Sequence, residues 1–313
     1  MLFYYIAKTT NYDLEEILRK ATVPIVIAMV LGLIFYYTNP GWYVAIKMRQ
    51  ITEFYESNNS DELMIGIFRL SSIWTTPYVI GYAAMYFATY LLVNIFSREH
   101  NPNGKRNLFM LLILSTAVIL LTQFRATIYS LVLILGYIMF FAKNKIKISY
   151  IIVTMAACFI AISIFFNENT ATGQYFRERM AKGLDKEHLD ERLEHTGGGI
   201  NLETIEGQGF GRYGGTARQY GGWAIQDSEY QKVVAELGYI GITVFIALII
   251  SGLLMSFRKR NLQLEFTITL FFAIAFIGSS CISAETTFPF IFWYALGRIS
   301  LKSGNSYKKS AIR

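Results

Sequence analysis

Three arginines in this sequence stand where apolar runs begin, end or give way to a cluster of glycines. Arg69 precedes a run that starts near residue 72, Arg125 lies between two runs, and Arg212 follows closely spaced glycines. A guanidinium is charged at any relevant pH, and its planar fork matches the oxygens of a phosphate. Two interpretations of Arg69 and Arg125 stay open: contacts with lipid headgroups, or a site for a phosphate or pyrophosphate.

A glycine-rich segment, Gly207-Gln-Gly-Phe-Gly-Arg, has glycines at alternate positions. This spacing is typical of loops whose backbone N–H groups converge on an anion. It is not a dinucleotide fingerprint, because no strand precedes it, and it lacks the Gly-Lys-Ser/Thr ending of a P-loop. The segment is therefore either a flexible hairpin or an anion-binding loop formed by Gly207, Gly209, Gly211 and Arg212.

Two carboxylates follow this loop and lead into the next apolar run. Either Asp227 or Ser228 is a suitable N-cap for the helix expected there. Glu236 lies one turn or more inside the same run, where a carboxylate is costly unless it is partnered or faces water. Glu236 is therefore a candidate functional residue, while Asp227 is either a plain cap or part of the same site.

The elements that must position these residues are membrane helices. Hydrophobic residues make up 53% of the chain and charged residues 16%, against roughly 25% charged in a soluble domain. The apolar residues form several runs of about 20, the length that crosses roughly 30 Å of hydrocarbon. We expect an all-α polytopic membrane protein whose eight transmembrane helices lie at about 22–38, 72–95, 108–123, 126–142, 149–166, 231–256, 264–282 and 286–300.

The distribution of positive charge predicts the orientation of this bundle. Five alternate connections, at 1–21, 96–107, 143–148, 257–263 and 301–313, together hold sixteen lysines and arginines. Since such residues accumulate on the cytoplasmic side, both termini are expected there. The net charge of +7 is thus explained by topology and lipid contact, without nucleic acid. The acidic segment before the first run is not typical of a cleaved signal peptide, so the first helix is expected in the mature protein.

This topology gives three regions: a bundle at 1–166, a long periplasmic loop at 167–230, and a second bundle with a cytoplasmic tail at 231–313. In the loop, Phe176, Met180 and Leu184 recur at a spacing that predicts an amphipathic helix on the membrane surface. Ten glycines among residues 197–222 follow. Loops of this length are usually functional or disordered, and its aromatic residues favour function.

Metal and disulfide chemistry have little support in the sequence. Cys158 and Cys281 both fall inside apolar runs, and the three histidines show no ligand spacing. We therefore expect no metal and no cofactor.

The motifs, in their order, resemble those of the O-antigen polymerase and ligase superfamily, bacterial membrane glycosyltransferases that use undecaprenyl-pyrophosphate-linked sugars. Each motif alone is loose, and the resemblance depends on their order and membrane placement across residues 69–255. The matching pieces are Arg69 with Trp74-Thr-Thr-Pro-Tyr-Val-Ile-Gly, Thr122-Gln-Phe-Arg-Ala, the long loop with Gly207-Gln-Gly-Phe-Gly, and Asp227-Ser-Glu-Tyr followed by Glu236-Leu-Gly-Tyr-Ile-Gly. The resemblance implies a GT-C-like helical bundle in the bacterial inner membrane.

The resemblance also implies a reaction: a glycan on undecaprenyl pyrophosphate is transferred, on the periplasmic face, to a hydroxyl of a second lipid-linked unit. The product would be O-antigen, capsular or exopolysaccharide. In this interpretation Asp227 is the first candidate for general base or acceptor orientation, and Glu236 the second. The cations that would stabilise the leaving pyrophosphate are Arg69, Arg125 and Arg212, with Arg177 and Arg179 in reserve. Its partners would be the lipid-linked glycans, the bilayer, a chain-length regulator and other polysaccharide-assembly proteins.

The chain departs from the family pattern at two points. Ligase-type members usually carry His-Asn where this chain has Asp227-Ser228, which favours a polymerase. Family members generally have ten or more spans, so a count of eight fits a chain that lacks N-terminal helices or begins at an internal methionine. An O-antigen ligase, a transporter or flippase for lipid-linked sugars, and an inactive assembly scaffold stay open as alternatives.

Overall fold

The fold is known from a computed structural model, which describes residues 2–10, 12–55, 69–74, 77–97, 102–141, 174, 205–209, 211–213, 228–257, 259–278 and 289–310. Within these residues all regular structure is helical. The α-helices are α1 (Leu2–Thr9), α2 (Leu14–Lys20), α3 (Thr22–Thr38), α4 (Gly41–Tyr55), α5 (Pro77–Ser97), α6 (Pro102–Leu121), α7 (Arg125–Phe141), α8 (Glu229–Ser256), α9 (Gln263–Ala275) and α10 (Pro289–Ser310). Short 3-10 turns lie at Ser72–Trp74 and Arg260–Leu262.

The membrane character predicted from apolar runs is confirmed in its coarser form. Two helices, Pro77–Phe96 and Glu229–Ser256, are long and apolar enough to cross a bilayer. A third span results if α2 and α3, which meet at an angle of 51°, act as one broken helix. Shorter apolar helical stretches lie within α6, α7 and α9, at Arg106–Leu121, Arg125–Phe140 and Gln263–Ala275. The predicted span at 149–166 lies outside the described residues, as does nearly all of the loop at 167–230.

Several helices have the bounds expected from the sequence, and others differ. Helix α3 has the predicted ends, and both ends of α7 and of α8 lie within two residues of the predicted positions. Helix α5 begins only at Pro77, because residues 72–74 form a separate 3-10 turn. Helices α1, α2 and α4 lie in segments where the sequence predicted connections, since their apolar stretches are too short to indicate a span.

The chain divides into two units, and the first comprises residues 15–178. Helix α5 is its centre, and α5 packs against α3, α6 and α7. Nearly all of α5 is buried, and small residues such as Ala83, Ala84 and Ala88 lie beside the large Tyr82 and Phe87 in its buried surface. The middle of α3 and the end of α6 meet the segment 69–74.

The second unit comprises residues 1–14 and 179–313. Helix α1 packs on α10 at Gly297, where a Cβ would lie 2.5 Å from the Tyr4 carbonyl oxygen. Helix α8 packs against α9 and α10 but exposes apolar side chains along much of its length, including Val244 and Leu254. An exposed apolar surface of this kind is what contact with lipid requires.

Candidate functional site

Arg69 is buried against the C-terminal end of α6. Its hydrogen-bond partner there, Thr122, lies 53 residues further along the sequence. The Arg69 side chain is only 3% exposed, and its Nε donates a hydrogen bond to the Thr122 carbonyl oxygen at 2.8 Å. The guanidinium carbon lies 5.2 Å from the centroid of the Tyr78 ring, a cation–π distance. The adjacent backbone is fixed too, because the Leu70 N–H donates to the Leu121 carbonyl at 3.0 Å.

The segment that follows Arg69 is held by helices α3 and α4. Ser72 has a positive φ of 56° and donates its hydroxyl to the Ala28 carbonyl of α3. Its own carbonyl accepts a hydrogen bond from the Tyr43 hydroxyl of α4 at 2.7 Å. Gly32 allows this approach, since a Cβ there would lie 2.9 Å from the Ser72 Cβ. The position of Arg69 is thus determined by contacts on both sides.

Lys47 of α4 is a second buried cation at the same place. Its side chain is 5% exposed, and its Nζ donates to the Arg69 carbonyl oxygen at 3.0 Å. The ammonium also lies 5.3 Å from the Tyr43 ring centroid. Burial, followed by the positive charge of Arg69, lowers the pKa of Lys47 to about 8. Lys47 was not predicted as a site residue, because its importance depends on helix α4, where the sequence predicted a connection.

Arg125 is the first residue of α7 and is partly buried. The turn before it contains Gln123, which is buried and has a φ of 52°. The same turn includes Thr122, whose carbonyl accepts from Arg69. The structure therefore brings Arg69 to the turn that leads into Arg125.

Glu236 lies in the second unit, on α8, and anchors the glycine-rich loop. Its side chain is 4% exposed, and its Oε1 accepts a hydrogen bond from the Tyr213 N–H at 3.1 Å. The loop also donates to the helix backbone: the Gln208 N–H to the Ala235 carbonyl at 2.9 Å, and the Gly209 N–H to the Glu236 carbonyl at 3.0 Å. The buried carboxylate is therefore partnered, which is the condition its burial requires.

A break in α8 makes this docking possible. Gly238 has a φ of 64° and a ψ of −166°, values outside the helical region. A break in the backbone leaves helical carbonyls without their usual donors, so other N–H groups must satisfy them. Those of Gln208 and Gly209 do so, and Gly207 fits closely against the break because a Cβ on it would lie 2.5 Å from the Glu236 carbonyl carbon.

The loop therefore has two sides with different surroundings. The N–H groups of Gln208, Gly209 and Tyr213 donate to α8, and the Tyr213 hydroxyl donates to the Gln208 side-chain oxygen. Gly211 and Arg212, by contrast, are exposed. Any anion bound by the described part of this loop would thus contact Arg212 rather than the N–H groups that point to the helix.

Ser228 is the N-cap of α8, so it is the one of the two predicted caps that the structure shows. Its hydroxyl oxygen accepts from the Gln231 N–H at 3.4 Å and donates to the Phe276 carbonyl at 3.2 Å. The Glu229 N–H donates to the same carbonyl at 3.0 Å. Asp227, Arg177 and Arg179 lie outside the described residues.

Lys232 is a further buried cation, one helical turn before Glu236 on the same side of α8. It is 8% exposed, and in the described part of the chain its ammonium forms no ion pair with a carboxylate. A lysine within the first turns of a long apolar run is the sequence signal that could have identified it.

Comparison with known proteins gives no match, either to a protein-family model or to a curated protein sequence. Among the described residues, no group of histidine, cysteine, aspartate and glutamate side chains is arranged to hold a metal ion.

Proposed function

We propose that this chain is a membrane glycosyltransferase that polymerises undecaprenyl-pyrophosphate-linked oligosaccharide units at the outer face of the bacterial inner membrane. In this proposal the chain crosses the bilayer eight times, with both termini in the cytoplasm. The observation that carries it is Arg69, a cation buried at the end of membrane-type helices and held on its Nε, its backbone and its aromatic neighbour. A charge in such a position is a functional candidate by default.

The chemical need for such a cation comes from the leaving group. As the bond between the sugar C1 and the phosphate oxygen breaks, negative charge develops on the pyrophosphate. Donors that are already oriented at that charge are usually the largest single contribution to catalysis. Arg69 meets this requirement because its surroundings fix it before any substrate arrives, and Arg125 follows the turn on which it rests.

The other half of the reaction is attack by the acceptor. A hydroxyl oxygen of the second lipid-linked unit forms the new bond to C1, and its proton passes to a base. The base must lie within hydrogen-bonding reach of that hydroxyl. The bond from Tyr213 to the Glu236 carboxylate favours a loop-positioning role for Glu236. We therefore assign proton acceptance first to Asp227, just before the Ser228 cap.

The test is reconstitution of the purified chain in liposomes with a purified lipid-linked repeat unit. A ladder of progressively longer lipid-linked glycans supports a polymerase. Transfer only to a different acceptor indicates a ligase instead, and movement of the unit across the bilayer without elongation indicates a transporter. Either of those two results contradicts the proposal.

A further inference from the structure

Two buried cations of the first unit, Lys47 and Arg69, are linked through the backbone of Arg69. The Lys47 ammonium donates to the carbonyl oxygen of Arg69, and the Arg69 guanidinium lies over Tyr78. Both side chains are at least nine-tenths buried. The charges are of the same sign, so each makes the burial of the other more costly.

Part of the donor capacity of these side chains is unused, because the buried Nη2 atom of Arg69 donates no hydrogen bond within the described residues. An ammonium has three N–H donors and a guanidinium five. One ammonium proton of Lys47 is used on the Arg69 carbonyl, and the Nε proton of Arg69 is used on Thr122. Within the described residues, no carboxylate forms an ion pair with Lys47. A ligand that supplies negative charge and several oxygens would compensate both the repulsion and the burial.

We propose that Lys47 and Arg69 together form one binding site for a phosphate-type group, in which Lys47 is a ligand-binding residue and not only a support for the backbone. A phosphate or pyrophosphate has the charge and the number of oxygens for two cations, with the guanidinium binding as a fork and the ammonium as a point charge. The identification of this group as the donor's pyrophosphate rests on the proposed function. A phospholipid headgroup offers the same chemistry.

The experiment measures binding of undecaprenyl pyrophosphate to the detergent-purified full chain, with phosphatidylglycerol as a second probe. Lys47→Met keeps the length of the side chain and removes its charge, so it is expected to weaken binding about tenfold or more, the scale of one charge-assisted contact. Lys47→Arg restores the charge and is expected to recover most of the affinity. Loss with the first probe alone identifies the donor's pyrophosphate, and equal loss with both probes identifies phosphate in general, which includes lipid headgroups.

A matched variant separates binding from support of the backbone. Tyr43→Phe removes the hydrogen bond to the Ser72 carbonyl but leaves both cations in place. It is expected to lower the melting temperature while keeping the affinity close to that of the unmodified chain. Lys20→Met, which removes an exposed charge paired with Glu16, is expected to change neither.

The inference is overturned if Lys47→Met binds both probes as tightly as the unmodified chain does. It is also overturned if Tyr43→Phe loses affinity to the same extent as Lys47→Met, because Lys47 would then act only through the backbone. The failure of the proposed function is a separate result: a chain that binds pyrophosphate through Lys47 but never elongates a glycan retains this site and contradicts the polymerase.

Discussion

Gly207 and Gly238 pack backbone against backbone, so closely that a Cβ on Gly238 would lie 2.6 Å from the Gly207 nitrogen. Both residues also have a positive φ, 74° and 64°, which favours glycine. The pair joins the glycine-rich loop to the break in α8, just beyond Glu236. The loop's attachment therefore depends on two positions that tolerate no side chain.

Substitution at this junction is expected to detach the loop. Gly238→Ala adds both a backbone clash and an unfavourable φ, so we expect destabilisation of about 1–3 kcal/mol or more, measured by thermal unfolding. Proteolysis within residues 205–213 is expected to become faster. Gly136→Ala is the control, because Gly136 lies in α7 with open space at its Cβ position. If Gly238→Ala unfolded at the same temperature as the unmodified chain, the close packing of Gly207 against Gly238 would be contradicted.

The role of Glu236 can be separated from base catalysis by two variants. Glu236→Gln keeps an oxygen that accepts from the Tyr213 N–H but removes the ability to take a proton, so elongation is expected to stay within about threefold of the unmodified rate. Glu236→Ala removes the acceptor and is expected to lose elongation together with the loop's protection from protease. Complete loss of elongation in Glu236→Gln, with the loop still protected, would instead assign proton transfer to this carboxylate.

Binding at the Lys47–Arg69 site is expected to depend on pH. Since the pKa of Lys47 is lowered to about 8, its charge is present at pH 7 and lost as the pH rises through that value. Arg69 stays charged, and burial raises the pKa of Tyr43 to about 12, so neither of these neighbours titrates in the range. Affinity for inorganic pyrophosphate is expected to fall between pH 7 and pH 9 by more in the unmodified chain than in Lys47→Arg. Ionisation of pyrophosphate affects both proteins equally, so comparing the unmodified chain with Lys47→Arg removes its contribution. Parallel pH profiles of the two proteins would contradict the expectation.

A charge network in the second unit is expected to stabilise the attachment of the N-terminal segment. Lys302 lies 3.2 Å from both the Asp13 and the Glu265 carboxylates, and Arg298 also pairs with Asp13. Lys302→Met leaves the buried Glu265 carboxylate without its cation, a change that typically costs about 3–5 kcal/mol. Adding Glu265→Gln is expected to recover a large part of the loss in thermal unfolding. Additive effects of the two substitutions would show that the pair is not coupled.

The sequence predicted the parts of this fold that depend on length and apolar content. Helix α3 has its expected ends, and α8 follows a cap that was one of two proposed. Helix α4 was not predicted because its apolar stretches are too short to indicate a span. Lys47 was missed with it, since its role depends on the Arg69 carbonyl, 22 residues further along the chain. The break at Gly238 was missed for a similar reason, since it is matched by a loop that is distant in sequence.

The surroundings of the candidate arginines were likewise predictable only in part. Their charge and their place at the ends of apolar runs indicated a shared interface, and Arg69 does lie against the turn before Arg125. Three contacts that hold Arg69 come from other segments: Thr122 accepts from its Nε, Leu121 accepts from the neighbouring backbone, and the Tyr78 ring lies against its guanidinium. Contacts of this kind depend on packing between helices, which periodicity in one sequence does not specify.

The central claim is that Arg69 and Arg125 serve transfer from a lipid pyrophosphate. Elongation of a purified undecaprenyl-pyrophosphate-linked repeat unit should be measured in liposomes containing the unmodified chain, Arg69→Met, Arg125→Ala or the exposed control Arg106→Ala. The unmodified chain and Arg106→Ala are expected to produce a ladder. Arg69→Met and Arg125→Ala are expected to insert normally into the liposome membrane. Their elongation rate is expected to fall by about a hundredfold or more, the scale of a lost preorganised donor. A ladder of unmodified length and rate from both of these variants, or no ladder from the unmodified chain, would contradict the claim.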